Sequence, residues 1–140
     1  MEEIIIKTKK EKEILDITEE IRTLIREKGW ERGILHLFIL HTTAALTTAD
    51  LDYGTDLDML DVFEKIIPKL KFRHPHNPSH VPDHIMSSIL GPSLVLPVED
   101  KDLVLGAWQR VVLVELGGPR ERTVEVSFLE IKNKNNINNI

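Results

Sequence analysis

Gly33-Ile34-Leu35-His36-Leu37-Phe38-Ile39-Leu40 is a nearly continuous apolar run. A strand with one wet face alternates in polarity, so this run reads as a central strand covered on both faces. It ends on His41, and Thr42-Thr43-Ala44-Ala45-Leu46-Thr47-Thr48 behind it is small and β-branched, which predicts a second extended segment. Upstream, Ile4-Ile5-Ile6 and Glu13-Ile14-Leu15-Asp16-Ile17 read as two short strands joined by the charged turn Lys9-Lys10-Glu11-Lys12. Thr18 reads as the N-cap of a helix, because Glu19 and Glu20 suit its positive end and Ile21, Leu24 and Ile25 follow at helical spacing up to Gly29.

Downstream, Thr55 can cap a helix running through Ile67, with Leu57, Leu60, Phe63, Ile66 and Ile67 on its buried side and Pro68 ending it. The segment from Lys71 to His80 is too rich in proline for regular structure, and a further helix begins near Pro82 and stops at Gly91. Ser93–Val98, Gln109–Glu115 and Arg122–Phe128 read as successive antiparallel strands, with turns at Glu99–Asp102 and at Gly117-Gly118-Pro119. Residues 132–140, rich in Asn and Lys, cannot bury enough apolar surface to offset their ordering entropy and read as a disordered tail.

At 140 residues and 16.1 kDa the chain has the size of a single domain, here residues 1–131. Its net charge of -5 argues against nucleic acid as a partner, since phosphate-backbone affinity needs clustered Lys and Arg. No apolar stretch is long enough for a membrane span and Met1-Glu2-Glu3 lacks the layout of a signal peptide, so the expected location is cytoplasmic, with no membrane partner. With no cysteine, any metal ligands must come from His, Asp and Glu.

All six histidines fall between positions 36 and 84. His41, at a strand end, faces a pocket or is a core imidazole satisfied by backbone. If Ser79 caps the following helix, His80 and His84 share one face and can share a metal; if the helix starts only at Pro82, that face is lost. Either way the helix start offers free N–H groups to an anion, with His84, Ser87 and Ser88 near it. His74 and His76 read as parts of a solvated, proline-stiffened loop. Asp58, one turn before Asp61, either belongs to an ordinary acidic helix start or completes a His-metal or Mg-phosphate site. Arg120 and Arg122 sit on a tight turn beside Glu115, shaped for bidentate phosphate contact. Trp108 and Gln109 open a strand, suited either to stacking on a heterocycle or to a subunit interface.

Taken together, His41-Thr42-Thr43-Ala44-Ala45-Leu46-Thr47, Pro78-Ser79-His80-Val81-Pro82-Asp83-His84-Ile85, Gly91-Pro92-Ser93, Leu105-Gly106-Ala107-Trp108-Gln109 and Glu115 with Pro119-Arg120-Glu121-Arg122 closely resemble the YjbQ-like family, called secondary thiamine-phosphate synthases. The resemblance covers nearly all of residues 3–130. It departs at Ala49-Asp50, where the family has Asn-Glu, and at Ala107, where it has Thr. It implies an α+β fold with a mixed, mainly antiparallel sheet and about three helices, a homotrimer, and transfer of a pyrimidine methyl diphosphate onto a thiazole phosphate with loss of pyrophosphate. It further implies that His41, His84, Trp108, Gln109, Glu115, Arg120 and Arg122 belong to the site. With the residue reading above, His41, His84 and Glu115 are the expected catalytic groups, Glu115 orienting an arginine or acting as base, and Ser88, Trp108, Gln109, Arg120 and Arg122 the expected contacts to a phosphorylated small molecule. A divalent metal, Zn or Mg, would sit on His41, His80, His84 and Asp58. The alternatives are a metal-dependent hydrolase of a phosphorylated molecule and a non-catalytic phosphometabolite binder.

Overall fold

In the computed structural model, which describes residues 1–75 and 77–132, the strand buried on both faces is not the Gly33 run but the segment Arg110–Glu115, where Val111 to Glu115 are all buried. In chain order the elements are β1 (Glu2–Lys7), β2 (Glu13–Asp16), α1 (Thr18–Lys28), β3 (Gly33–Ile39), β4 (Ala44–Ala49), α2 (Thr55–Ile66), a 3-10 turn (Pro78–His80), α3 (Val81–Leu90), β5 (Ser93–Glu99), β6 (Asp102–Leu103), β7 (Arg110–Glu115) and β8 (Glu121–Glu130). They form two antiparallel sheets, β1-β8-β3-β5-β6 and β2-β7-β4. The chain is thus an α+β protein with antiparallel sheets and three α-helices.

The side-chain period of two explains the layering. Val111 and Leu113 of β7 turn toward the larger sheet and join Leu35, Leu37, Ile39, Val124 and Val126, while α1 closes this core with Ile17, Ile21 and Ile25. Val112 and Val114 turn the other way, onto Met86 of α3 and the half-buried Leu60 and Phe63 of α2. β3 alternates instead: Leu35, Leu37 and Ile39 point inward, while Phe38 is exposed. Its continuous apolar run therefore covers one inner and one open face. That open face carries Ile5, Ile34, Phe38, Val95 and Leu129, with Ile34 registered opposite Leu129 and His36 opposite Val95.

Several local expectations are corrected. The strands around Gly117-Gly118-Pro119 are not neighbours; β7 and β8 lie in different sheets, as do β1 and β2. Thr18 is no N-cap: it is buried in α1, its N–H and hydroxyl donate to Asp16 Oδ1 at 3.0 and 2.6 Å, and its hydroxyl oxygen accepts from Val111 N–H at 2.9 Å. A buried hydroxyl with backbone partners serves packing rather than capping. Gly54, in the left-handed region at φ 87°, precedes α2 in place of a Thr55 cap. Leu57 and Ile66 face solvent, because α2 buries only the stripe of Leu60, Phe63 and Ile67. No described helix is long and apolar enough to cross a membrane. His76 and residues 133–140 of the expected tail lie outside the described residues.

Candidate functional site

Where β3 gives way to β4, the end of the core between the two sheets opens into a cavity of about 660 Å3. His41, Thr42 and Thr43 border it from the β3–β4 connection, His80, His84, Ser87 and Ser88 from α3 and its start, and Arg120 and Arg122 from the entry to β8. Among the described residues, three imidazoles and two guanidiniums thus meet around one space, and no Asp or Glu lines it.

The floor is a buried ion pair. Arg122 (1% exposed) donates through Nε to Glu115 Oε2 at 2.7 Å and through Nη2 to Glu115 Oε1, to Thr43 O at 3.1 Å and to Thr43 Oγ1 at 2.9 Å. Glu115 (0% exposed) also accepts the Gly117 N–H at 2.9 Å. Burial alone would raise this carboxyl's pKa; the hydrogen bonds from Arg122, Gly117 and Thr8, with the Arg122 charge, outweigh it and hold Glu115 ionised below the ordinary range. Glycine is required beside it: a Cβ on Gly118 would fall 2.5 Å from Lys10 O and 2.9 Å from the Glu115 carboxyl carbon. Glu115 therefore orients Arg122 and does not border the cavity as a base, and Arg122 offers a ligand only what Glu115 and Thr43 leave unused. Arg120 is the exposed arginine of the pair, held by its Nε–H donating to Gly117 O at 3.0 Å.

The two histidines at the rim share the Nδ1–H tautomer but leave opposite functions free, a donor on His41 and an acceptor on His84. His41 Nε2 accepts the Thr123 N–H at 2.9 Å, so in the neutral ring the proton sits on Nδ1 and His41 is a donor. Its pKa is lowered, chiefly by burial and then by the Arg122 charge, with Glu115 opposing and Arg120 adding slightly. His84 Nδ1 lies 3.0 Å from Thr42 O, a carbonyl that only accepts, so Nδ1 carries the hydrogen and Nε2 of the neutral ring keeps its lone pair. The His74 ring stacks on His84 with centroids 5.4 Å apart, which draws the supposed connector loop to the site.

Other expected members sit elsewhere. The start of α3 falls between the two sequence alternatives: Val81 is its first residue and His80 its N-cap, yet His80 and His84 both reach the cavity. The positive end of α3 already has a carboxylate, Asp83, paired with Lys12 at 2.8 Å, and the histidines and serines of α3 border the cavity along the helix flank. Ser87 donates to Ala44 O at 2.6 Å and Ser88 to His84 O at 3.1 Å, so neither hydroxyl proton is free in this arrangement. Trp108 and Gln109 stand at the start of β7, roughly 20 Å along the strand from Glu115. Trp108 is 78% exposed, and Gln109 closes its own turn onto Gly106 N and Thr48 Oγ1. Asp58 lies on α2 and does not line the cavity. His41 Nε2 is already engaged, and among the described residues no three His, Asp or Glu side chains come together as a metal site. The four residues expected to hold Zn or Mg do not fit one, since Asp58 is away from the cavity and His41 Nε2 is taken by the Thr123 amide. Sequence reasoning missed the Thr123 amide and the Thr42 carbonyl, because backbone partners leave no mark in residue identity.

A family model described as "UPF0047 protein YjbQ-like" matches residues 2–131. A UPF0047 protein of Archaeoglobus fulgidus is 36% identical over 128 residues, covering 91% of this chain and 99% of the relative. UPF0047 protein YugU of Bacillus subtilis is 34% identical, covering 89% and 95%. Among solved structures, a protein of unknown function from Sulfolobus solfataricus superposes with a TM-score of 0.85 at 31% identity, covering 93% of this chain and 96% of that one. An uncharacterised conserved protein of Clostridium acetobutylicum gives 0.83 at 32%, covering 92% and 100%. These findings overturn the thiamine-phosphate synthase expectation: the relatives' names carry no such activity. The indole meant to hold the pyrimidine also does not line the cavity of His41 and His84.

Two outcomes test this geometry. Arg122→Met should destabilise the protein by about 3–5 kcal/mol by stranding a buried carboxylate, whereas Arg122→Met with Glu115→Leu should recover most of that loss; equal denaturant midpoints for the two variants would refute the assignment. His41 should titrate below 6.5 by NMR. Because the folded value is depressed, its contribution to stability is complete above about pH 6.5 and is lost as pH falls through the folded value.

Proposed function

The chain belongs to the YjbQ-like UPF0047 family, and on that premise we propose that the cavity beneath α3 binds a small phosphorylated molecule. One observation carries this reading: in a chain of net charge -5, the cavity gathers His41, His80, His84, Arg120 and Arg122 and no carboxylate. A phosphate oxygen meets donors from His41 Nδ1 and the Arg120 guanidinium, groups that form short, charge-assisted bonds. His84 Nε2, whose lone pair is kept by the bond from Nδ1 to Thr42, accepts a hydrogen bond from a hydroxyl of the bound molecule or from water. The volume of about 660 Å3 accommodates a metabolite rather than a polymer.

The proposal extends to assembly. Phe38 and Leu40 line the cavity, and Phe38 also belongs to the apolar open face of the five-stranded sheet with Ile5, Val95 and Leu129. Association of copies across that face, as a trimer by the family resemblance, buries it and brings a second chain to the cavity mouth.

Inorganic phosphate and phenyl phosphate titrated calorimetrically into the full chain should bind, and Arg120→Ala should weaken both about ten-fold or more, the cost of a hydrogen bond to a charged group. Undiminished affinity in that variant would end the proposal. Val95→Glu with Leu129→Glu should reduce the solution mass to that of a monomer; an unchanged mass would place any interface elsewhere.

A further inference from the structure

A second cavity, of about 640 Å3, lies on the other side of α3 between that helix, α2 and residues 67–72. α3 is the partition: His84 and Ser88 face the first cavity, while Pro82, Asp83 and Met86 face the second. The second cavity's chemistry is different. Leu60, Phe63 and Ile67 of α2, Leu70 and Phe72 of the connection, and Met86 make its wall. This accounts for a feature of α2, which has an apolar stripe but no fully buried residue. Leu60, Phe63 and Ile67 are only half-buried against the Val112 and Val114 side of the sheet, and their remaining surface lines this cavity. A helix whose apolar stripe stays half-buried forgoes stabilisation that a tighter connection would supply.

The polar groups at the rim are unequal. Lys12 is neutralised by Asp83 at 2.8 Å. Lys69 and Lys71 are exposed and form no ion pair among the described residues, with Glu64 the remaining acid of the lining. An apolar wall ending in two unneutralised ammonium groups complements a molecule with an apolar body and one anionic head. We infer that this cavity binds a small amphipathic carboxylate, its body between Phe63, Phe72 and Met86 and its head at Lys69 and Lys71. The two cavities share no lining residue, although a third hollow, bordered by Lys71 and Phe72 on one side and His84 and Ser88 on the other, lies between them.

Decanoate, decanol and inorganic phosphate serve as probes in calorimetric titration of the full chain. Decanoate should bind saturably with one site per chain and decanol about ten-fold more weakly. Lys69→Glu with Lys71→Glu, both surface positions, should weaken decanoate about ten-fold while leaving the thermal midpoint unchanged. His84→Ala and saturating phosphate should leave decanoate binding intact. No saturable binding, equal affinity for decanol, indifference to the charge reversal, or competition by phosphate would each overturn the inference.

Discussion

The Arg122–Glu115 pair is the interaction on which the rest of the site depends. β7 and β8 belong to different sheets, and only seven residues separate these two side chains, so the Gly117-Gly118-Pro119 turn carries the chain from the central strand of one sheet to an interior strand of the other. Two charges without solvent need complete hydrogen bonding, and they have it: Gly117, Thr8 and Thr43 complete what each ion leaves open. The requirement propagates outward. Thr43 fixes the start of β4, Gly118 must lack a side chain, and Arg120 is anchored on the same turn.

The pair also governs the electrostatics above it. The Arg122 charge adds to burial in keeping His41 neutral, and a neutral His41 with its Nε2 occupied is a fixed hydrogen-bond donor. Across the cavity His84 is fixed in the complementary sense by Thr42. A donor and an acceptor held by backbone rather than by flexible side chains need little reorganisation when a ligand arrives, which is the property a binding site built for polar recognition requires.

Much of the fold was legible because local rules and tertiary structure agree: Gly29 after α1, Pro68 after α2 and Gly91 after α3 all end helices where the chain ends them. Sheet membership was not legible, since β1 and β2 carry the same β-rich signal whichever sheet they join. The two-faced burial was assigned to β3 because its outer residues are apolar, and an apolar residue on an open face has the same identity as one in a core. At the site, His41, His84 and Arg120 do share a cavity, whereas Arg122 was read as a phosphate contact when burial commits it to Glu115. Trp108 was grouped with them by type alone, though β7 carries it to the far end of the sheet.

The strand order has a consequence for how the protein is made. β8 lies inside its sheet, hydrogen-bonded to β1 on one side and β3 on the other, with Leu35 registered opposite Phe128 about ninety residues later. During ribosomal synthesis the apolar β3 run waits without its neighbour until nearly the whole described chain has emerged. Through that interval its unpaired edge is a hazard for aggregation that only the arrival of β8 removes.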